Sequence, residues 1–466
     1  MVPFAKTGGL ADVAGELPEA LAALGHEIIA FVPRYKTVDI QKWGLRPVID
    51  RLDIPVGSEV ETGRVFSHTL QSGIRVFLVD HPEFFCRDGL YGTAVGDYPD
   101  NDRRFIFFQR AVCETLINLG FKADIVHCHD WQTGLIPIYL KTLFARQPVF
   151  KKTKSVFTIH NLAYQGNFPP DSLPATGLGW DQFRLERLEF YGKISFLKAG
   201  LVYADLITTV SERYAEEIQT KEFGCGLEGV LQKRRDSLRG IINGIDPKEW
   251  KPETDKGTSK SALQKENGFS VDPKVPVVGL ISRLVDQKGI DIVIPAVSEM
   301  GRLGVQFVVL GTGEEKYHQT LREIAKKNKS FVGVHVLFDA KMAKRIYAGC
   351  DMLLVPSYYE PCGLSQLIAL RFGTIPVVRE TGGLADTIHD FNPQTREGNG
   401  FVFKDYSSEA LLGALKRALK VFADQKSWPA LVRNAMACDF SWTASAKKYV
   451  ELYQTMERKA FESQGL

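Results

Sequence analysis

The six residues Thr-Gly-Gly-Leu-Ala-Asp occur twice in this chain, at 7–12 and again at 381–386, 374 positions apart. Both copies precede a helix-compatible segment. A Gly-Gly turn lets the backbone come close to a ligand, and the helix start behind it offers unpaired N–H groups to an anion. Gly-Gly is also a common turn dipeptide, but a six-residue identity is rarer than a shared turn. The chain therefore reads as two similar α/β halves, each with an anion loop, meeting over one ligand.

The second copy closes the stretch 351–386, DMLLVPSYYEPCGLSQLIALRFGTIPVVRETGGLAD. Its apolar run 352–355 is broken by Pro356. Leu364, Leu367, Ile368 and Phe372 then share a helical face that Gly373 stops, and a second apolar run occupies 375–378. Strand, loop, helix, strand, glycine loop, helix is a parallel α/β unit, whose ligands bind beyond the carboxyl ends of the strands. One loop there carries Glu360, Cys362 and Gly363, and the other carries Thr381, Gly382 and Gly383. A carboxylate and a backbone nest thus face one crevice.

At 466 residues the chain is too long for one core and is expected to form two or three domains. A net charge of +3 implies neither nucleic acid nor an anionic membrane as partner. No apolar run approaches a membrane span, and the N-terminus has no signal-peptide layout. The seven cysteines are scattered without C-x-x-C spacing, which argues against disulfides and structural zinc and for a reducing cytoplasm.

Residues 1–5 run into Lys6 and the first glycine loop with no strand ahead of them. Such loops normally follow the first strand of a doubly wound sheet, so the opening strand is expected to be missing. A helix is predicted at 11–24 and a buried strand at 28–32. The β-branched runs at 48–52, 65–70 and 74–79 predict an insertion of twisted antiparallel strands. A loop rich in Gly, Tyr and Asp spans 86–102, a long helix 104–119, and parallel strands 124–129, 155–160 and 205–211. The polar run 252–260 reads as a linker or its edge. Strands at 275–281, 305–310 and 332–338 begin a second α/β alternation, and an amphipathic helix at 442–461 ends the chain.

KTGGLADV at 6–13, CHDW at 128–131 and TIHNLAYQG at 158–166 resemble the bacterial glycogen synthases and plant starch synthases. So do INGID at 242–246, SRLVDQKG at 282–289, EPCGLSQL at 360–367 and the second TGGLAD. Arg, Lys and Glu loops recur across nucleotide-sugar glycosyltransferases, but here all motifs keep the family's order over nearly the whole chain. The resemblance implies an α/β GT-B fold with two Rossmann-like doubly wound domains facing a central cleft. It places an acceptor-side domain at 1–247, a nucleotide-sugar domain at 248–446, and a terminal helix at 447–466 packing back on the first.

It further implies a retaining glucosyltransferase moving glucose from ADP-glucose to the non-reducing 4-hydroxyl of an α-1,4-glucan, with no cofactor besides that donor. The leaving diphosphate gathers negative charge, so fixed cations and N–H donors aimed at it lower the barrier. Arg283 and Lys288 follow the strand 275–281, where the plainer alternative is a solvated surface pair. Arg grips two oxygens at once, and Lys acts as a point charge. By resemblance both bind the phosphates together with Gly382, Gly383 and Leu384, while Glu360 meets the sugar hydroxyls and settles developing positive charge. Glu360 could also cap the helix beginning near Gly363. The departing phosphate is expected to help deprotonate the incoming hydroxyl in a front-face displacement.

The resemblance also puts Lys6, Gly8 and Gly9 near the donor phosphate, and Asp12 near sugar and acceptor. His160 joins Glu360, Arg283, Lys288 and Lys6 in the implied catalytic set, with Asn161 and Asn243 as further contacts. Tyr91, Asp130 and Trp131 are expected to shape the acceptor side, since carbohydrate recognition couples aromatic faces to polar groups. Phe338 stands where the family commonly has a tyrosine stacked on adenine. Gly311, Gly363, Leu364 and Thr381 complete the expected binding set, and Cys362 is expected to pack its loop rather than react. No D-x-D flanked by strands, H-x-x-x-H or Cys/His cluster suggests a metal. Alternative readings are a relative using UDP-glucose or a small acceptor, and, because of the absent first strand, a non-catalytic glucan- or nucleotide-sugar-binding protein.

Overall fold

A computed structural model describes residues 1–6, 8–93 and 95–462, with side chains up to Met456. The chain divides into two compact units, which cross at Ile241/Ile242 and again at Ser441/Trp442; the short stretch Ser211–Tyr214 belongs with the second. Among the described residues no helix is long and apolar enough to cross a membrane.

In the first unit, α1 (Gly9–Ala23) follows a turn rather than a strand. Val13, Leu17 and Leu21 recur every four residues on one face and are buried with Trp442, Ala446 and Tyr449 of the C-terminal helix, Trp442–Glu462. The strands β1 (Ile29–Pro33), β2 (Arg46–Val56), β3 (Glu59–Thr69) and β4 (Arg75–Asp80) form a sheet in the order β1-β4-β3-β2. The expected antiparallel strands form: β3 pairs antiparallel with both β2 and β4, and β4 also lies parallel to β1, with Phe31 opposite Phe77. Val76 to Asp80 are buried without alternation, as a strand covered on both faces must be.

The long helix α2 (Asn101–Leu119) leads to a second, wholly parallel sheet. It contains β5 (Ile125–His129), β6 (Lys154–Ile159), β7 (Leu206–Thr209) and β8 (Leu238–Gly240), in the order β8-β7-β6-β5.

The first helix of the second unit's main stretch, α3 (Lys256–Glu266), begins within the run that reads as a linker or its edge. Asp255 caps it by accepting from the Thr258 N–H at 3.0 Å. Its lysines anchor it: Lys260 Nζ lies 2.7 Å from Asp351 with both side chains buried, and Lys256 Nζ reaches Thr374 Oγ1 at 2.5 Å. Burial pushes the Lys256 ammonium down to about 8. Polar composition misleads here because the charges are buried in partnership.

Six parallel strands follow: β9 (Val277–Ile281), β10 (Gln306–Leu310), β11 (Val332–His335), β12 (Met352–Val355), β13 (Ile375–Arg379) and β14 (Phe401–Phe403). Their order is β11-β10-β9-β12-β13-β14. That is a doubly wound sheet in which successive strands run to one side from β9, then restart on its other side at β12. β9, β10, β12 and β13 are buried almost throughout on both faces by helices including α4 (Ile290–Arg302) and α5 (Ala340–Gly349), whereas the edge strand β11 is mostly half-buried. β11 ends at His335, not at 338, and leaves Phe338 82% exposed in the loop beyond.

Candidate active site

The winding reverses between β9 and β12, where Val278 pairs with Met352 and Gly279 with Leu353. Chains leaving two such strands diverge and open a crevice at their carboxyl ends. The loop after β9 carries Arg283 and Lys288; the loop after β12 carries Glu360. Lys288 Nζ meets Glu360 Oε2 at 2.5 Å, with 17% and 9% of the two side chains exposed. The buried Ser357 hydroxyl donates to the same oxygen at 2.9 Å. The loops can approach because Gly289 has φ +73°, and a Cβ there would stand 2.1 Å from the Pro356 carbonyl oxygen. Arg283 remains exposed and donates through Nη2 to Gln287 Oε1 at 3.1 Å.

Glu360 is not a helix cap. α6 (Ser365–Arg371) starts five residues later, with Leu364 at its N-cap and no side-chain bond there. The carboxylate is occupied by an ammonium and a hydroxyl instead. Cys362 is buried, which pushes its thiol up to about 12, so it packs the loop as a neutral group.

The second glycine copy opens α7 (Gly382–Thr387). Its geometry departs from an open anion nest. The Gly383 N–H donates to the Glu360 carbonyl at 3.0 Å and the Leu384 N–H to the Thr381 carbonyl at 3.0 Å. A Cβ on Gly382 would stand 2.0 Å from the Glu360 oxygen, and one on Gly383 2.0 Å from the Cys362 oxygen. These glycines let the loop press against the backbone that carries Glu360, and Thr381 is buried beneath. Gly363 takes φ +75°, and Gly311 packs where a Cβ would be 2.0 Å from the Ser282 carbonyl oxygen. Asn243 is buried, and its Oδ1 has no hydrogen-bond partner among the described residues. A buried acceptor left that way lacks what a ligand hydroxyl could supply.

In the first unit, Lys6 Nζ and Asp12 Oδ1 form a 2.6 Å pair, 52% and 18% exposed. Gly8 and Gly9 are exposed, and a Cβ on either meets nothing within 4 Å. At the end of β5, Asp130 takes the left-handed φ of 55° and accepts from the His160 N–H at 2.8 Å. Burial pushes its carboxyl up to about 7, opposed by the backbone N–H groups of His160 and Asn161.

His129 Nδ1 lies 3.1 Å from His160 Nε2, and the His129 ring stacks on His127 with centroids 4.3 Å apart. Burial lowers all three imidazoles, His129 to about 4, so the cluster is neutral near pH 7. The Asn161 side-chain Oδ1 accepts from the Ala163 N–H at 3.0 Å, closing its own turn. Trp131 is a buried aromatic against Phe105 (4.8 Å) and Tyr91 (6.3 Å), not an open platform. Burial pushes the Tyr91 phenol up to about 12, with the Asp130 charge adding to the effect.

The structure pairs Lys288 with Glu360 and Lys6 with Asp12, and sets the His160 N–H on the Asp130 carboxylate. Sequence reasoning missed Ser357 and Gln287, which hold the Lys288 and Glu360 loops in register. Their signal was position alone: each is a polar residue in a loop just beyond a strand of the reversal.

The starch synthase catalytic domain family matches residues 1–233, and glycosyl transferases group 1 matches 262–429. A glycogen synthase of Koribacter versatilis is 46% identical across 97% of this chain and 96% of its own length. Another, of Geotalea daltonii, is 46% identical across 98% of each. Among solved structures, the catalytic domain of starch synthase IV from Arabidopsis thaliana, bound to ADP and acarbose, superposes with a TM-score of 0.89. It is 34% identical and covers 98% of this chain and 97% of that one. A sucrose-phosphate synthase from Thermosynechococcus elongatus shares the fold at 18% identity and a TM-score of 0.61, across 97% of this chain and 94% of that one.

Proposed function

Because the chain belongs to the glycogen and starch synthase family of GT-B enzymes, and so is a glucosyltransferase of α-glucan synthesis, we propose that its donor is ADP-glucose. The acceptor is the non-reducing 4-hydroxyl end of an α-1,4-glucan. In the relative from Arabidopsis thaliana, ADP and acarbose mark a nucleotide and an oligosaccharide analogue. The observation that carries the reading is the 2.5 Å Lys288–Glu360 pair at the reversal between β9 and β12, with Arg283 beside it.

The bond from glucose C1 to the diphosphate oxygen breaks as the bond from C1 to the acceptor oxygen forms on the same face. The acceptor proton passes to the departing diphosphate. Lys288 and Arg283 neutralise the charge gathering there, which lowers the barrier only if they are already in place. Glu360 accepts from the glucose hydroxyls, and its charge settles the positive character growing at C1. Phe338, exposed beyond β11, supplies a face for the base. Lys6 and the open Gly8 and Gly9 take part of the diphosphate. Asp12, His160 and Asn161 meet the sugar, and Tyr91, Asp130 and Trp131 hold the acceptor side in shape. The cations do the work a divalent ion does elsewhere, so activity is expected to persist in EDTA. Seven free thiols suit a reducing cytoplasm.

The test supplies purified protein and glycogen with labelled ADP-glucose or UDP-glucose, with Glu360→Ala as control. Label is expected in polymer from ADP-glucose, with a loss of at least ~100-fold in the control. Incorporation from UDP-glucose alone would overturn the donor assignment.

A further inference from the structure

Gln287 touches both arms of the site. It lies in the 3₁₀ turn Asp286–Lys288. Its Oε1 accepts from Arg283 Nη2 at 3.1 Å, and its Nε2 donates to the Tyr359 carbonyl at 3.1 Å. Its backbone carbonyl accepts the Tyr358 N–H at 2.9 Å. Tyr358 and Tyr359 immediately precede Glu360. The orientation of the amide is fixed, because a guanidinium can only donate and a peptide carbonyl can only accept.

We propose that Gln287 is a positioning residue for glucosyl transfer: it holds Arg283 through an uncharged acceptor, aimed for the donor diphosphate, and ties that cation to the loop bearing Glu360. The two cations differ in how they are held. Lys288 faces a carboxylate at 2.5 Å, which balances its charge. Arg283 faces an amide oxygen and keeps its whole charge for an anion. A carboxylate at 287 would compete with the diphosphate for Arg283 and would turn an acceptor toward the Tyr359 carbonyl. An apolar side chain of the same length would leave Arg283 charged but loose. The two replacements therefore fail differently: one in affinity, the other in rate.

This inference rests on Arg283 binding the donor diphosphate. The experiment compares Gln287→Glu, Gln287→Met and Arg283→Ala in the full chain, reading kcat, donor KM, calorimetric ADP affinity and thermal midpoint. Both Gln287 variants should melt within about 2 °C of the parent, because the Tyr358 N–H bond to the main chain survives. Gln287→Glu should raise donor KM and ADP Kd by ~10-fold or more. Gln287→Met should lower kcat ~10-fold with donor KM within about twofold.

Unchanged donor KM in Arg283→Ala would overturn the diphosphate role itself. A raised KM in Arg283→Ala with none in Gln287→Glu would overturn the role of Gln287 alone. Loss of kcat in step with a lowered midpoint in both Gln287 variants would reduce the residue to a structural one. Should Gln287→Glu fail to fold, parental turnover in Gln287→Met overturns the proposal and a tenfold loss supports it.

Discussion

In the first TGGLAD copy a methyl group built on Gly8 or Gly9 meets nothing within 4 Å; in the second, one built on Gly382 or Gly383 stands 2.0 Å from a carbonyl oxygen. Gly8 has φ −177°, extended backbone open to any residue, whereas Gly382 has φ +43°, where a Cβ is strained. The final aspartates differ as well. Asp12 pairs with Lys6, while Asp386 accepts the Arg213 N–H at 3.0 Å. The same six residues are therefore kept for two reasons. In the second copy the protein's own backbone demands glycine, and the contact shapes the Glu360 loop. In the first copy nothing described in the protein demands it, and the proposed approach of the donor diphosphate is what would require glycine there.

The two lysines repeat the contrast. Lys288 and Glu360 are largely buried, whereas Lys6 is half exposed beside Asp12. Lys288→Met should remove about 3–5 kcal/mol of stability, because it leaves a buried carboxylate unpaired. Lys6→Met should change stability by less than about 1 kcal/mol while lowering activity. Denaturant unfolding beside a glycogen-labelling assay measures both. Equal stability losses would erase the distinction.

Gly382→Ala should come next, at about 3 kcal/mol with loss of activity, since the added carbon cannot coexist with the Glu360 carbonyl. Gly9→Ala should leave stability unchanged or raise it by about 0.5 kcal/mol, because alanine favours the helix that glycine weakens. It should nevertheless lower turnover. A fully active Gly9→Ala enzyme would mean that the first copy is only a turn.

A pH-dependent effect sharpens the comparison further. The Asp130 carboxyl, raised to about 7 from 3.8, keeps a proton in the folded state that the unfolded chain has released. Its contribution to stability is therefore lost as pH rises from about 4 to about 7. Asp130→Asn should remove that slope and stabilise the protein by about 2 kcal/mol at pH 8, with little change below pH 4. The neutral histidines act oppositely. His129, lowered to about 4 from 6.5, contributes stability present above 6.5 and lost as pH falls toward 4. Urea midpoints from pH 4 to 8 read both slopes. An unchanged slope in Asp130→Asn would show that the carboxylate is solvated.

Much of this was legible along the chain. The apolar runs at 275–281, 305–310 and 352–355 mark buried parallel strands because such strands are covered on both faces. Arg283, Lys288 and Glu360 were legible because each follows one of those runs. β4 was half legible: its antiparallel pairing with β3 was expected, but not its parallel pairing with β1 on the other edge, because a run of β-branched residues does not name its partners. Lys256 and Lys260 were misread as linker because the sequence does not state that Thr374 and Asp351 are their partners. The alternative of Glu360 as a helix cap stayed open for the same reason, since only folding shows that Lys288 and Ser357 occupy it.

Sequence alone determined which residues stand at strand ends and which family the motifs resemble, because periodicity and motif order are properties of neighbours along the chain. The tertiary structure decided what each polar group faces. It showed two identical glycine loops in different surroundings and an unremarked glutamine bridging Arg283 and the Glu360 loop. Hydrogen bonds and carbonyl clashes act over about 3 Å of space, between residues that the chain separates by tens of positions.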